Sequence, residues 1–233
     1  TAVFPSLSAL AARDEHEELG NTMVFGLNLI ALFTIPAAIG LFALSEPIVR
    51  VLFERGAFDA TSTAMTSFAL RFFVLGLFAQ GAYNVINRTY YALQDTKTPV
   101  KISITVVVVN LILSLILIRY LQHGGLALAN SLAAILNMIL AYCLLRNRLP
   151  ALPEKKLFIN LGKILLASVL MGVGVYFING LLVTNLAMAS LKGQLYHLGI
   201  SMGLGIFIYL AFITVLQVEE AQYFFKRFVK KQG

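Results

Sequence analysis

Six apolar stretches divide the chain, at residues 22–45, 64–87, 100–118, 125–145, 157–183 and 195–218. Each is near or above the roughly 20 residues a helix needs to cross a bilayer. The eleven carboxylates all fall outside these stretches or at their edges, as hydrocarbon demands, since a charge at its centre costs about 2.5–3.5 kcal/mol. The pattern predicts an all-α polytopic membrane protein with six transmembrane helices. Local signals refine it. Thr98-Pro99 reads as an N-cap and first-turn proline opening the third span, and Gly124-Gly125 as the tight return into the fourth. Pro36, in the middle of the first span, predicts a kink and a freed backbone carbonyl that a neighbouring helix must cover. Two shorter amphipathic segments, 47–56 with its glycine stop and the aromatic and basic tail 222–231, read as helices lying at the membrane surface.

Composition excludes the soluble alternatives. The chain is 59% hydrophobic and 12% charged, against about 45–50% and 25% in ordinary soluble domains, so neither a soluble globular enzyme nor a disordered chain fits. A net charge of +7 raises nucleic acid as a partner, but the distribution of the charge points elsewhere. The segment 11–21, the loops 88–101 and 146–156 and the C-terminal tail hold twelve Lys and Arg, whereas the connections on the other side hold four: Arg50, Arg55, Arg119 and Lys192. The excess marks the cytoplasmic side. The C-terminus is therefore expected inside, with the basic residues facing anionic phospholipids and no nucleic-acid partner. Cys143, the single cysteine, lies in an apolar run and reads as a small buried hydrophobe. Thr1-Ala2-Val3-Phe4-Pro5 carries no Met, basic region or cleavage signal and reads as the start of a fragment.

Candidate chemistry is sparse. No Gly-x-Ser-x-Gly, P-loop or His-Glu-x-x-His occurs, His16, His123 and His197 are scattered, and no carboxylate pair stands at membrane depth, so no catalytic residue is expected. Uncharged polar residues cluster in spans three and four instead. Ser103, Asn110 and Ser114 share one helical face, and Ala127, Asn130, Ala134, Asn137 and Ala141 form a matching stripe. Such amides either bond helix to helix, worth about 0.6–2 kcal/mol, or line a polar pathway or cation site. Arg71 either snorkels to the headgroups or binds an anionic substrate in a cavity that Asn137 would share, and Lys163 invites the snorkelling reading. In the last two spans Ser168 and Gly172, Gly199 and Gly203, and Ser201 and Gly205 recur four apart, with Gly174 nearby. These stripes permit either close helix pairing or a shallow groove for a lipid chain.

Four strings carry a resemblance: Val3-Phe4-Pro5-Ser6-Leu7-Ser8; Glu46-Pro47-Ile48-Val49-Arg50-Val51-Leu52-Phe53 running into Arg55-Gly56-Ala57-Phe58; Tyr90-Tyr91-Ala92-Leu93-Gln94-Asp95-Thr96-Lys97-Thr98-Pro99-Val100; and Gly125-Leu126-Ala127-Leu128-Ala129-Asn130-Ser131-Leu132-Ala133. In this order and spacing they resemble the MurJ (MviN) lipid II flippases of the MOP exporter superfamily, well over residues 1–148 and by hydropathy alone over 149–233. The resemblance implies fourteen helices in the whole protein, in two six-helix lobes followed by two additional helices. Residues 1–148 would hold the end of helix eight and helices nine to twelve of the second lobe. Residues 149–233 would hold the two additional helices and a basic amphipathic cytoplasmic tail. It implies a transporter of the bacterial cytoplasmic membrane that flips lipid II by alternating access, in partnership with its N-terminal lobe and with cell-wall synthesis machinery. The alternatives are another MOP exporter, of polysaccharide-lipid or drugs, and a membrane scaffold without transport. It further implies sodium at Asn110 and Asn130, with Ser114 standing where an acidic ligand would be expected, and a lipid-tail groove near Ser168, Gly172, Gly199 and Gly203.

Overall fold

The computed structural model describes residues 10, 15–149, 152–185 and 191–222, with only the backbone described over 181–185. The chain forms α1 (His16–Ala43), α2 (Ser45–Phe53), α3 (Ala60–Phe73), a 3-10 turn (Val74–Gly76), α4 (Leu77–Ala92), α5 (Lys97–Leu121), α6 (His123–Arg146), α7 (Glu154–Asn185) and α8 (Leu191–Val215). Among the described residues six spans are long and apolar enough to cross a membrane, the second made of α3, the 3-10 turn and α4 in succession. Apart from Leu10 and Gln222, the expected end of a preceding helix and the basic tail lie outside the described residues.

Helix α1 belongs to two cores. Leu19, Met23 and Leu27 pack with Ala82, Ile86 and Tyr90 of α4 and with Ala141 and Leu145 of α6. Further along, Ala31 and Leu32 pack with Ile164, Ala167 and Met171 of α7 and with Tyr209 and Ile213 of α8. The last two helices are thus seated on the rest of the bundle through α1. Helix α5 rests mainly on α6 and turns Ile104, Val107, Leu111 and Leu115 outward, an apolar face suited to hydrocarbon.

Pro36 has no N–H to give the Leu32 carbonyl four residues before it. The Tyr209 hydroxyl of α8 donates to that carbonyl at 2.7 Å, so the carbonyl freed by the proline is covered from a neighbouring helix. A second break is covered in the same way. In the 3-10 turn the Leu77 N–H bonds to Val74 O, which leaves Phe73 O without its usual helical donor. Ser131 Oγ of α6 reaches Phe72 O and Phe73 O at 2.7 and 3.0 Å, and a Cβ on Gly76 would lie 2.8 Å from Ser131 Cα, so the approach requires glycine.

Several local expectations need correction. Helix α5 is capped by Asp95, whose Oδ1 accepts from the N–H groups of Lys97 and Thr98, each at 3.0 Å, and not by Thr98. The turn between α5 and α6 is made by Gln122 at φ 49°. Gly124 and Gly125 serve close approach: a methyl on Gly125 would run into the Leu117 carbonyl and one on Gly124 into the Phe68 ring. Cys143 is exposed on α6, not buried. Most of segment 47–56 does form an amphipathic helix, α2, which ends at Phe53, with Gly56 at φ 59° in the turn beyond it. It packs antiparallel against α3, since Glu54 accepts from Thr63 Oγ1 at 2.8 Å while Ser45 meets Arg71. The chain after α8 folds back and buries Glu220, so one carboxylate does enter the bundle.

Candidate polar face and apolar groove

Arg71, at the end of α3, donates through Nε to Ser45 Oγ at 2.7 Å, and Ser45 is fully buried. It therefore ties α3 to the α1–α2 junction through Nε. In α5, Ser103 Oγ and Tyr83 Oη of α4 lie 3.1 Å apart, and Ser114 Oγ donates to Asn110 Oδ1 at 3.4 Å. Asn130 and Asn137 are half-buried on α6, and Asn137 Oδ1 is a buried acceptor without a partner. The fully buried residues of α6 include Ala129 and Ala133 on one side and Ser131 on the opposite side. Asn110, Ser114 and Asn130 supply only neutral oxygens, whereas a hard cation is held best by a set that includes carboxylate. The set fits sodium poorly. A cavity of about 470 Å³ opens between α4 and α5, with Tyr83, Asn87, Tyr91 and Ser103 on its wall, and Asn87 Oδ1 is buried there without a partner.

An apolar groove of about 520 Å³ runs where α1 faces α7 and α8. Pro36, Ala37 and Gly40 form one wall and Met171, Gly205 and Tyr209 the other. The hollow follows from the sequence: small residues and a proline on α1 leave room, and the Tyr209 hydroxyl spends its polarity on Leu32 O. None of the four residues expected to line a lipid groove does so. Ser168 is buried and donates to Ile164 O within α7 at 2.7 Å. Gly172 presses on α1, with an added Cβ only 2.5 Å from Ile39 Cγ2, and Gly199 and Gly203 face open space. The groove lies on the neighbouring faces of the same two helices. Helix pairing falls to Gly205, against Val175, and Gly174, against Ile208.

A family model described as "Lipid II flippase MurJ" matches residues 1–197. The chain belongs to the MurJ family. Curated relatives include a "Probable lipid II flippase MurJ" of Haemophilus influenzae, 34% identical over 183 residues, which covers 76% of this chain and 36% of the relative. The "Probable lipid II flippase MurJ" of Thermotoga maritima is 32% identical over 214 residues, covering 92% of this chain and 41% of the relative. A solved structure described as "Lipid II flippase MurJ, inward closed conformation" superposes with a TM-score of 0.73 at 30% identity, over 92% of this chain and 42% of that one. This MurJ-family chain spans about two-fifths of the length of the relatives it matches.

The string from Tyr90 to Val100 is a built corner at one end of this MurJ-family bundle. Tyr90 Oη donates to Ala141 O at 3.0 Å, Gln94 takes φ 58°, and Arg148 pairs with Asp95 at 2.6 Å. A hydrogen bond from the Thr98 side chain, with the Thr98 N–H and the Arg148 charge beside it, holds the Asp95 carboxyl below the usual carboxylate range. Arg146 and Glu154 pair at 2.7 Å and join α6 to the start of α7. Sequence reasoning missed Ser45, Tyr209, Asn28, Asn160 and Glu220. Tyr209, Asn28 and Asn160 carried the signal used for Asn110, a polar group inside an apolar run. Ser45 and Glu220 carried none.

Proposed function

We propose that the protein carrying this chain translocates lipid II across the bacterial cytoplasmic membrane by alternating access, with this chain as the second lobe and the seat of the lipid tail. The groove along α1, α7 and α8 carries the reading. A long polyprenyl-type tail needs a dry, continuous apolar wall, and this wall is built beside a lobe of the MurJ family. The charged headgroup would cross between this lobe and the N-terminal one while the tail stays in the groove and in lipid. The Tyr83, Asn87 and Ser103 cavity would face that path. No covalent step is required, so no catalytic residue is assigned. No ion step is routed through Asn110 and Asn130, whose oxygens are neutral.

The charge count supports a C-terminus in the cytoplasm and basic loops against anionic phospholipid. Cell-wall synthesis enzymes would supply and consume the substrate. The test is Ala37→Phe in the intact protein, which fills the groove. In cells depleted of their own flippase, wild type should restore growth, while the variant should insert normally and fail. Full rescue by the filled groove would count against the tail assignment.

A further inference from the structure

Glu220 is 2% exposed, and among the described residues no other carboxylate is buried. Gln217 takes φ 50° after α8, and the chain turns back so that Val218, Glu220 and Ala221 are buried. Glu220 Oε1 accepts from Asn28 Nδ2 of α1 at 2.8 Å and from Asn160 Nδ2 of α7 at 3.2 Å, and Oε2 accepts from Asn160 Nδ2 at 2.9 Å. Every donor is neutral. Among the described residues, the cation that feels Glu220 is Lys156 of α7, and it is committed to the exposed Glu219 at 2.5 Å. Helix α7 also carries Lys163, three residues beyond Asn160. The titratable residues of α1, His16, Glu17 and Glu18, are exposed at its start. Lys156, Glu219 and Glu220 together leave one negative charge over.

A second observation points the same way. Asn28 is fully buried, and its Oδ1, on the amide that already touches Glu220, has no hydrogen-bond partner. A buried charge is ordinarily paired or holds a cation, and a buried acceptor ordinarily finds a donor. One positive charge placed between the Glu220 carboxylate and Asn28 Oδ1 meets both needs. With a single carboxylate, and no cluster of three His, Cys, Asp or Glu among the described residues, the site suits a univalent cation and not a divalent or transition metal.

We propose that Asn28, Asn160 and Glu220 form a univalent-cation site that clasps the segment following α8 to α1 and α7. A sodium ion would take oxygens from Glu220 and Asn28. A proton on Glu220 would be donated to Asn28 Oδ1, closing a carboxyl–amide pair. In either case occupancy strengthens the docking of the last two helices.

The test is the unfolding midpoint of the intact protein in detergent, at constant ionic strength, with sodium chloride exchanged for choline chloride and the series repeated at lower pH. A saturable rise of a few degrees specific to sodium identifies the metal ion, following the mass-action rule for ligands of the native state. A rise on acidification that is indifferent to sodium identifies the proton. Glu220→Gln should be as stable as the cation-loaded protein and respond to neither, because its amide supplies the missing donor. Asn28→Ala should also lose the response, and Asn110→Leu should keep it. A wild type indifferent to both cations, or a response that survives in Glu220→Gln and Asn28→Ala, overturns the proposal.

Discussion

Replacing Tyr209 with Phe removes one oxygen and almost no volume, so the change isolates the hydrogen bond to Leu32 O at 2.7 Å. Tyr209 and Leu32 are both buried, and Pro36 leaves Leu32 O without an intrahelical donor. An orphaned buried acceptor costs about 1–3 kcal/mol in soluble proteins, whereas hydrogen bonds between membrane helices average about 0.6 and reach about 1.7 kcal/mol. The lower range applies to bonds whose partners find substitutes in the unfolded helices. Leu32 O has no such substitute within α1, because the proline is there in both states. The expected loss is therefore near the top of the membrane range, about 1.5 kcal/mol. In a Pro36→Ala background the new N–H can serve Leu32 O, and Tyr209→Phe should then cost less than about 0.5 kcal/mol, a coupling of about 1 kcal/mol. Reversible unfolding in mixed micelles of the four proteins measures the cycle. Equal costs in both backgrounds would refute the claim that the hydroxyl stands in for the missing amide.

A methyl at Gly125 meets the backbone of Leu117 and Ile118, which has no room to move, so Gly125→Ala should spread α5 from α6 and destabilise by about 1–3 kcal/mol; an unchanged midpoint would contradict the close approach. Ser131→Ala leaves Phe72 O and Phe73 O without their cross-helix donor and should lower the same midpoint by about 1 kcal/mol, an effect that Ser131→Thr would not mimic beside Gly76. The Asp95 carboxyl is held below its ordinary range in the fold, so its contribution is full above the unfolded value of about 3.9 and is lost as pH falls through the lower folded value. Asp95→Asn should be less stable at neutral pH and show a shallower loss on acidification; a parallel acid limb would sink that assignment.

The crossings were legible because hydrocarbon imposes a coarse rule, long apolar runs with no carboxylate in their interior, and each of the six spans obeys it. The Pro36 prediction was legible for a similar reason: a missing N–H is a property of the residue, and a buried carbonyl must find a donor somewhere. The donor itself was not foreseeable, since Tyr209 lies 177 positions away in sequence and only the packing of α8 on α1 brings it there. Faces were harder than spans. Small residues mark helices that approach closely, but the spacing of Gly199 and Gly203 equals that of Ser201 and Gly205, and only the latter pair faces the bundle. Glu220 was misplaced because span limits assume that the chain leaves the membrane region where apolarity ends. The reversal at Gln217 brings the carboxylate back among amides that had no reason, in sequence, to be read with it.

Vesicles reconstituted with the intact protein and labelled lipid II test the central claim most directly, by the fraction of label that becomes accessible at the opposite leaflet. Time-dependent transfer is predicted for wild type, with a sharp fall in Ala37→Phe that is milder for a short-tailed analogue of the same headgroup. Correctly inserted wild type that moves no lipid II, or an Ala37→Phe protein that moves it at the wild-type rate, would contradict the account.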